Sequence, residues 1–167
     1  DVMYQIGALK AFCQAAGVPL HHVKPHGALY NMAAKDPALA QAICRAVQAA
    51  APEAMLLALS GSEMLKAAQE MGLRVCSEVF ADRAYRADGT LVPRGLPGAM
   101  IENEDDAIAR VIRMAKQGTV CAADGSTVTL QADSVCVHGD GRKALCFVKK
   151  LSEALPAAGI EIKAHNA

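Results

Sequence analysis

The sequence has no tryptophan, and aromatic residues make up only 4% of it. That scarcity argues against a surface on which nucleic-acid bases stack. Charge excess is missing too: 17 Lys and Arg balance 17 Asp and Glu, and no run of one sign occurs. A basic patch for nucleic acid or an anionic membrane is therefore not expected. No apolar run reaches the roughly 18 residues needed to span a bilayer, and no signal-peptide pattern is visible, so a cytoplasmic location is expected. The six cysteines, at 13, 44, 76, 121, 136 and 146, form no C-x-x-C pair. They read as small buried hydrophobes in a reducing compartment, not as a disulfide or zinc framework. "HGDGRKA" holds no H-x-x-x-H or H-E-x-x-H, so no self-contained metal site is written into that stretch. "HGDGRKA" lacks the spacing and the Ser or Thr of a P-loop, although a helix start there can still hold an anion.

What is present is apolar side chain, 53% of 167 residues, enough to bury a core as a single α/β domain over 1–167. The chain opens directly in a helical pattern, "DVMYQIGALKAFCQAAG", with Val2, Ile6, Leu9, Phe12, Cys13 and Ala16 on one face and Gly17 as its stop. The absence of an initiator Met makes a piece of a longer protein the expectation. "LHHVKP" reads as a short strand, followed by a helix from about Asp36 with Pro37 at its first position. "AMLLALS" is a buried strand, and Ser60 with Glu63 forms a capping box for the next helix. Capping also accounts for Ser60-Gly61-Ser62 without a nucleophile elbow. "LRVCSEVF" is another strand. A long Gly- and Pro-rich stretch over 79–103 has the character of a functional loop. Asn103 is placed to cap a helix, "TVCAADGSTVTL" reads as a hairpin around Asp124-Gly125, and "SVCVHGD" is a strand with Asp140 as the cap of a last helix. "IEIKA" ends the chain as an extended piece. Alternation of strand and helix predicts a parallel sheet with crossover helices and one β-hairpin insertion.

Parallel strands gather functional groups at their C-terminal ends. Here those ends carry Lys24 and His26, then Glu78 with Asp82 and Arg83, then His138 and Asp140. Each alone has a plain explanation: Asp140 as an N-cap, His138 as a core histidine, Asp82 and Arg83 as a loop ion pair. Lys24 is harder to explain so, because a lysine beside an apolar strand needs a partner or a wet cavity. Together at one rim they favour a site.

"VKPHGALYN", "SEVFADRAYRADGTLVPRGLPGAMIEN" and "VCVHGDG" resemble, in order, the three signature segments of the LamB/YcsF family, the 5-oxoprolinase A subunits. "YQIGALKAF" resembles the helix before the first signature. The resemblance implies an irregular (β/α) barrel of the glycoside hydrolase/deacetylase type. It is incomplete here, because family members carry further strands before this helix. It also implies ATP-dependent opening of the lactam of 5-oxoproline to L-glutamate, with ADP and phosphate released, alongside B and C subunits. On that resemblance Lys24 and Arg83 hold anionic groups, His26 and His138 are the acid–base candidates, and Glu78 is the alternative base. Asp82 and Asp140 orient a histidine or hold Mg²⁺ through water. Tyr30 and Asn31 hydrogen-bond the substrate, with Tyr30 equally explained by packing. The competing expectations are a metal-dependent amide or N-acetyl hydrolase of the same barrel type, and a non-catalytic binding fragment. Little activity is expected from the chain by itself.

Overall fold

The computed structural model describes residues 1–139 and 144–165. Its Cα positions group into two compact units, Asp1–Ser77 and the chain from Glu78 onward.

In the first unit, helix α1 (Val2–Ala15) precedes strand β1 (His22–Val23), helix α2 (Gly27–Ala33) and helix α3 (Pro37–Ala50). Strand β2 (Met55–Leu59), helix α4 (Glu63–Glu70) and strand β3 (Val75–Phe80) follow, the last running across the division. β1 lies parallel to β2 with His22 opposite Met55 and Val23 opposite Leu56. The core is built where apolar periodicities meet: Ile43, Cys44 and Val47 of α3, Met55, Leu56 and Leu59 of β2, and Met64 and Ala68 of α4 are all buried. Each large side chain so buried contributes about 1.5–3 kcal/mol. Asp36 starts α3 by accepting from the N–H groups of Ala38 and Leu39, with Pro37 behind it.

Two local expectations change in this unit, and one element was not foreseen. The segment between β1 and Asp36 forms α2, with His26 at its N-cap position. The cap of α4 is Ser62, whose Oγ accepts from Leu65 N, not Ser60. Ser60 is two residues too early, because β2 ends at Leu59 and Gly61 takes a left-handed φ of 73° between strand and helix. The face expected to be buried on α1 holds only Ile6; Leu9 and Phe12 are exposed, as are Met3 and Tyr4.

In the second unit, helix α5 (Glu104–Gln117) leads into a hairpin of strands β4 (Thr119–Cys121) and β5 (Thr127–Thr129). Strand β6 (Ser134–Cys136) and helix α6 (Ala144–Ala157) follow. Asn103 Oδ1 accepts from the N–H groups of Asp105 and Asp106, and three acidic residues fill the first turn of α5, where the helix dipole favours them. The hairpin is antiparallel, and its turn is closed by Asp124 accepting from Ser126 while Gly125 supplies a φ of 86°. β6 lies parallel to β3, with Glu78 opposite Ser134 and Phe80 opposite Cys136. The sheet order is β1-β2-β3-β6. The terminal "IEIKA" is not in a strand, and among the described residues no helix is long and apolar enough to cross a membrane. Of the six cysteines, expected as buried hydrophobes, only Cys44 and Cys76 are buried; Cys121 and Cys146 are exposed.

Candidate functional site

The register of β3 and β6 sets the geometry of the second unit. Phe80 and Cys136 are the last registered pair, and Ala81 N donates to Cys136 O at 3.1 Å. Two residues beyond that pair on each chain stand Asp82 and His138, so in-register parallel strands bring them face to face. Nδ1 of His138 lies 2.9 Å from Asp82 Oδ1 and 2.8 Å from Oδ2. Both side chains are largely enclosed, with 21% of His138 and 15% of Asp82 accessible. Phe80 stacks on the imidazole at 5.7 Å between centroids and fixes the ring plane. With Asp82 ionised, the Nδ1 proton is turned to the carboxylate and neutral His138 keeps its lone pair on Nε2. That is the arrangement of an oriented general base.

The sequence puts Glu78 at the end of its strand. In the structure it stands two residues inside β3 and is 2% exposed. Asp140 lies outside the described residues.

The stretch from 79 to 103 is not a loose loop. Ala84 N bonds Ala99 O, Val92 N bonds Ala84 O, and Ile101 N bonds Asp82 O, all at 2.9 Å. Ala84, Val92 and Ala99 form a small core with Ile101 against it. Tyr85 closes the segment from below: its hydroxyl oxygen accepts from Phe80 N at 2.9 Å, and burial pushes the phenol far above the usual tyrosine range. Arg83 is 4% exposed and donates through Nη2 to Val92 O, while its Nε is buried without a hydrogen-bond partner. Burial first, then the nearby positive charge of Arg94, lowers the Arg83 pKa, and Asp82 acts the other way. Arg110 of α5 gives Nη2 to Arg83 O and Nη1 to Cys121 O. Sequence reasoning missed Tyr85 and Arg110. The available signal for Arg110 was a cation beside the buried stripe of Ala107, Val111 and Met114.

The other expected site residues belong to the first unit. Lys24 follows β1 directly, and its Nζ lies 5.6 Å from the centroid of the Tyr30 ring, a cation–π contact. Tyr30 is 3% exposed, which fits its packing role. Asn31 Nδ2 donates to Gly27 O at 2.9 Å within α2. His26 is exposed and makes no side-chain cap bond. The structure thus brings Lys24 to Tyr30 in one unit and Asp82 to His138 in the other.

The family model described as "LamB/YcsF family" matches residues 1–167. The chain is 57% identical over 161 residues to the A subunit of 5-oxoprolinase from Clostridium beijerinckii, covering 96% of this chain and 63% of that protein. It is 52% identical over 163 residues to the corresponding A subunit from Bacillus subtilis, covering 98% and 63%. The crystal structure of the lactam utilization protein from Thermus thermophilus superposes with a TM-score of 0.88 at 45% identity, covering 99% of this chain and 66% of that one. The chain therefore spans less than two thirds of the length of these curated relatives. Its fold class is α/β, a mostly parallel sheet with helices that corresponds to an incomplete α/β barrel, as the strand–helix alternation and the family resemblance predicted.

Proposed function

Because the chain belongs to the LamB/YcsF family, we propose that it supplies the acid–base histidine of a 5-oxoprolinase A subunit, working with B and C subunits on 5-oxoproline and ATP. The names of its relatives support the substrate class. The single observation that carries the chemistry is His138 held through Nδ1 by both oxygens of Asp82.

A lactam resists water because nitrogen donates its lone pair into the carbonyl. Transfer of a phosphoryl group from ATP to the carbonyl oxygen releases ADP and leaves an electrophilic imidate carbon. Water adds to that carbon while Nε2 of His138 takes its proton. The new hydroxyl then gives up its proton to solvent as its oxygen forms the C=O bond, the C–N bond breaks with its electron pair going to nitrogen, and the imidazolium returns the proton there. The resulting glutamyl acyl phosphate takes a second water and yields glutamate and phosphate. Between the two proton transfers Asp82 stabilises the imidazolium. Mg²⁺ would accompany ATP, and Asp82, with both oxygens against His138 Nδ1, is assigned here to orienting the imidazole. No step of this reaction depends on that carboxylate as a metal ligand.

The test is glutamate and phosphate release from 5-oxoproline by the A subunit with its B and C partners, with and without ATP. Equal stoichiometry that requires ATP is expected. Glutamate release without ATP would replace this reading with simple amide hydrolysis.

A further inference from the structure

We propose that Tyr85 is a positioning residue for His138 that acts through Phe80: its hydroxyl fixes the backbone of Phe80, and the Phe80 ring sets the orientation of the imidazole. The catalytic consequence rests on the reaction proposed above, and the existence of the relay on the following geometry.

Asp82 alone does not define where Nε2 of His138 points. Both of its carboxylate oxygens meet the imidazole at Nδ1. A ring held at one atom can still tilt about that contact, and tilting swings Nε2, the nitrogen that faces the reaction. The second restraint is Phe80, whose ring lies at 26° to the imidazole with centroids 5.7 Å apart. Phe80 and Asp82, two residues apart at the end of β3, thus hold the ring by its plane and by one nitrogen.

Phe80 in turn needs an anchor, because it is the last residue of β3. Toward β6 the hydrogen bonding passes to Ala81, whose N–H donates to Cys136 O at 3.1 Å. Backbone N–H groups alternate between the two edges of a strand, so the Phe80 N–H faces away from β6. There it donates to the Tyr85 hydroxyl oxygen at 2.9 Å. Phe80 is 4% exposed and Tyr85 1%, so bulk water does not stand in for this acceptor.

Tyr85 is itself pinned on both sides. Its carbonyl accepts from Ala123 N in the β4–β5 turn at 2.8 Å, and it forms an antiparallel bridge with Leu91. Beside it, Ala84 N bonds Ala99 O and Arg86 N bonds Thr90 O. With the backbone pinned and the ring buried, the staggered side-chain torsions leave the hydroxyl one place to go. Packing alone would be served by phenylalanine; the hydroxyl is what reaches the backbone. The bond from Tyr85 back to Phe80 closes a short loop that carries Asp82, so both groups that hold His138 are tied to one anchor.

The experiment compares Tyr85→Phe, Phe80→Leu and the double variant of the full-length A subunit, with circular dichroism and Tm used to check the fold. Proton NMR of the His138 ring reads its placement, because the stacked Phe80 ring displaces the signals of the carbon-bound imidazole protons. Tyr85→Phe is expected to shift those signals, whereas a role confined to stability would lower Tm and leave them in place. In ATP-dependent glutamate release with B and C present, Tyr85→Phe should lower kcat about tenfold with KM little changed. That is less than the roughly 10²-fold that a misplacement of about 1 Å costs. Because Tyr85 acts through Phe80, the double variant should lose no more than Phe80→Leu alone. Wild-type ring signals or wild-type kcat in a folded Tyr85→Phe protein, or multiplied losses in the double variant, overturn the proposal. Should Phe80→Leu fail to fold, Tyr85→Phe decides by itself. Absence of ATP-dependent turnover in the wild type would remove the reaction proposed above, whereas the ring signals are read without turnover and still decide the relay.

Discussion

Nδ1 of His138 lies within 2.9 Å of both carboxylate oxygens of Asp82, although 56 residues separate the two in the chain. Asp82 is a positioning residue on this account, acting through the imidazole. Asp82→Asn keeps the shape but offers an amide in place of one oxygen, so Nδ1 no longer faces an anion. Turnover in the full-length protein should fall about 10²–10⁴-fold with KM little changed. Nitrogen NMR of the histidine should show the neutral ring shifting away from the Nδ1–H form. A wild-type tautomer in the variant would remove the orienting role from Asp82.

Tyr85 gives the fold an alkaline limit. Its phenol is buried, so its folded-state pKa is raised above the unfolded value near 10. The stability it contributes is complete below that unfolded value and is lost as pH rises toward the folded one. Above pH ~10, this group alone should lower stability by up to about 1.4 kcal/mol per pH unit. Tyr85→Phe should remove that part of the slope. It should also cost about 1 kcal/mol at neutral pH, from the hydrogen bond lost by Phe80 N. Urea titrations of both chains at pH 8, 10 and 11 check this, and parallel curves would contradict it.

Gly118 ends α5 at a φ of 62°, and a Cβ there would meet Leu130 O at 3.0 Å. Leu130 is bound to the same turn, its N–H donating to Gly118 O at 2.8 Å, so the carbonyl has little room to give. Gly118→Ala should destabilise the chain by about 1–3 kcal/mol. Denaturant titration measures it, and a stability within about 0.5 kcal/mol of wild type, as expected for an ordinary surface change, would contradict the close approach.

Much of this was legible because local chemistry and periodicity agreed. Asp36-Pro37, Asn103 with its acidic first turn, and Asp124-Gly125 each announce a boundary that backbone hydrogen bonding then obeys. The Ser60 reading failed because a capping pattern says nothing of the extra left-handed residue between strand and helix. Helix α2 was missed because Pro25 and Gly27 look like breakers, whereas they precede or open a seven-residue helix. On α1 the periodicity gave an apolar face, but burial depends on what packs there, and only Ile6 is covered. The site divides in the same way. That Asp82 and His138 belong to strand ends was readable, but their meeting depends on a register between β3 and β6 that no local pattern encodes. Tyr85, Arg110 and the self-bonded course of 82–101 are tertiary facts, and the polar composition of that stretch concealed them.

The central claim is that His138 moves the protons of lactam opening. The most direct measurement is ATP-dependent glutamate release from 5-oxoproline by the full-length A subunit with B and C present, comparing wild type with His138→Ala. The account predicts a fall of at least about 10²-fold in the variant, with its fold intact by circular dichroism. Glutamate release at the wild-type rate by a folded His138→Ala protein would contradict it.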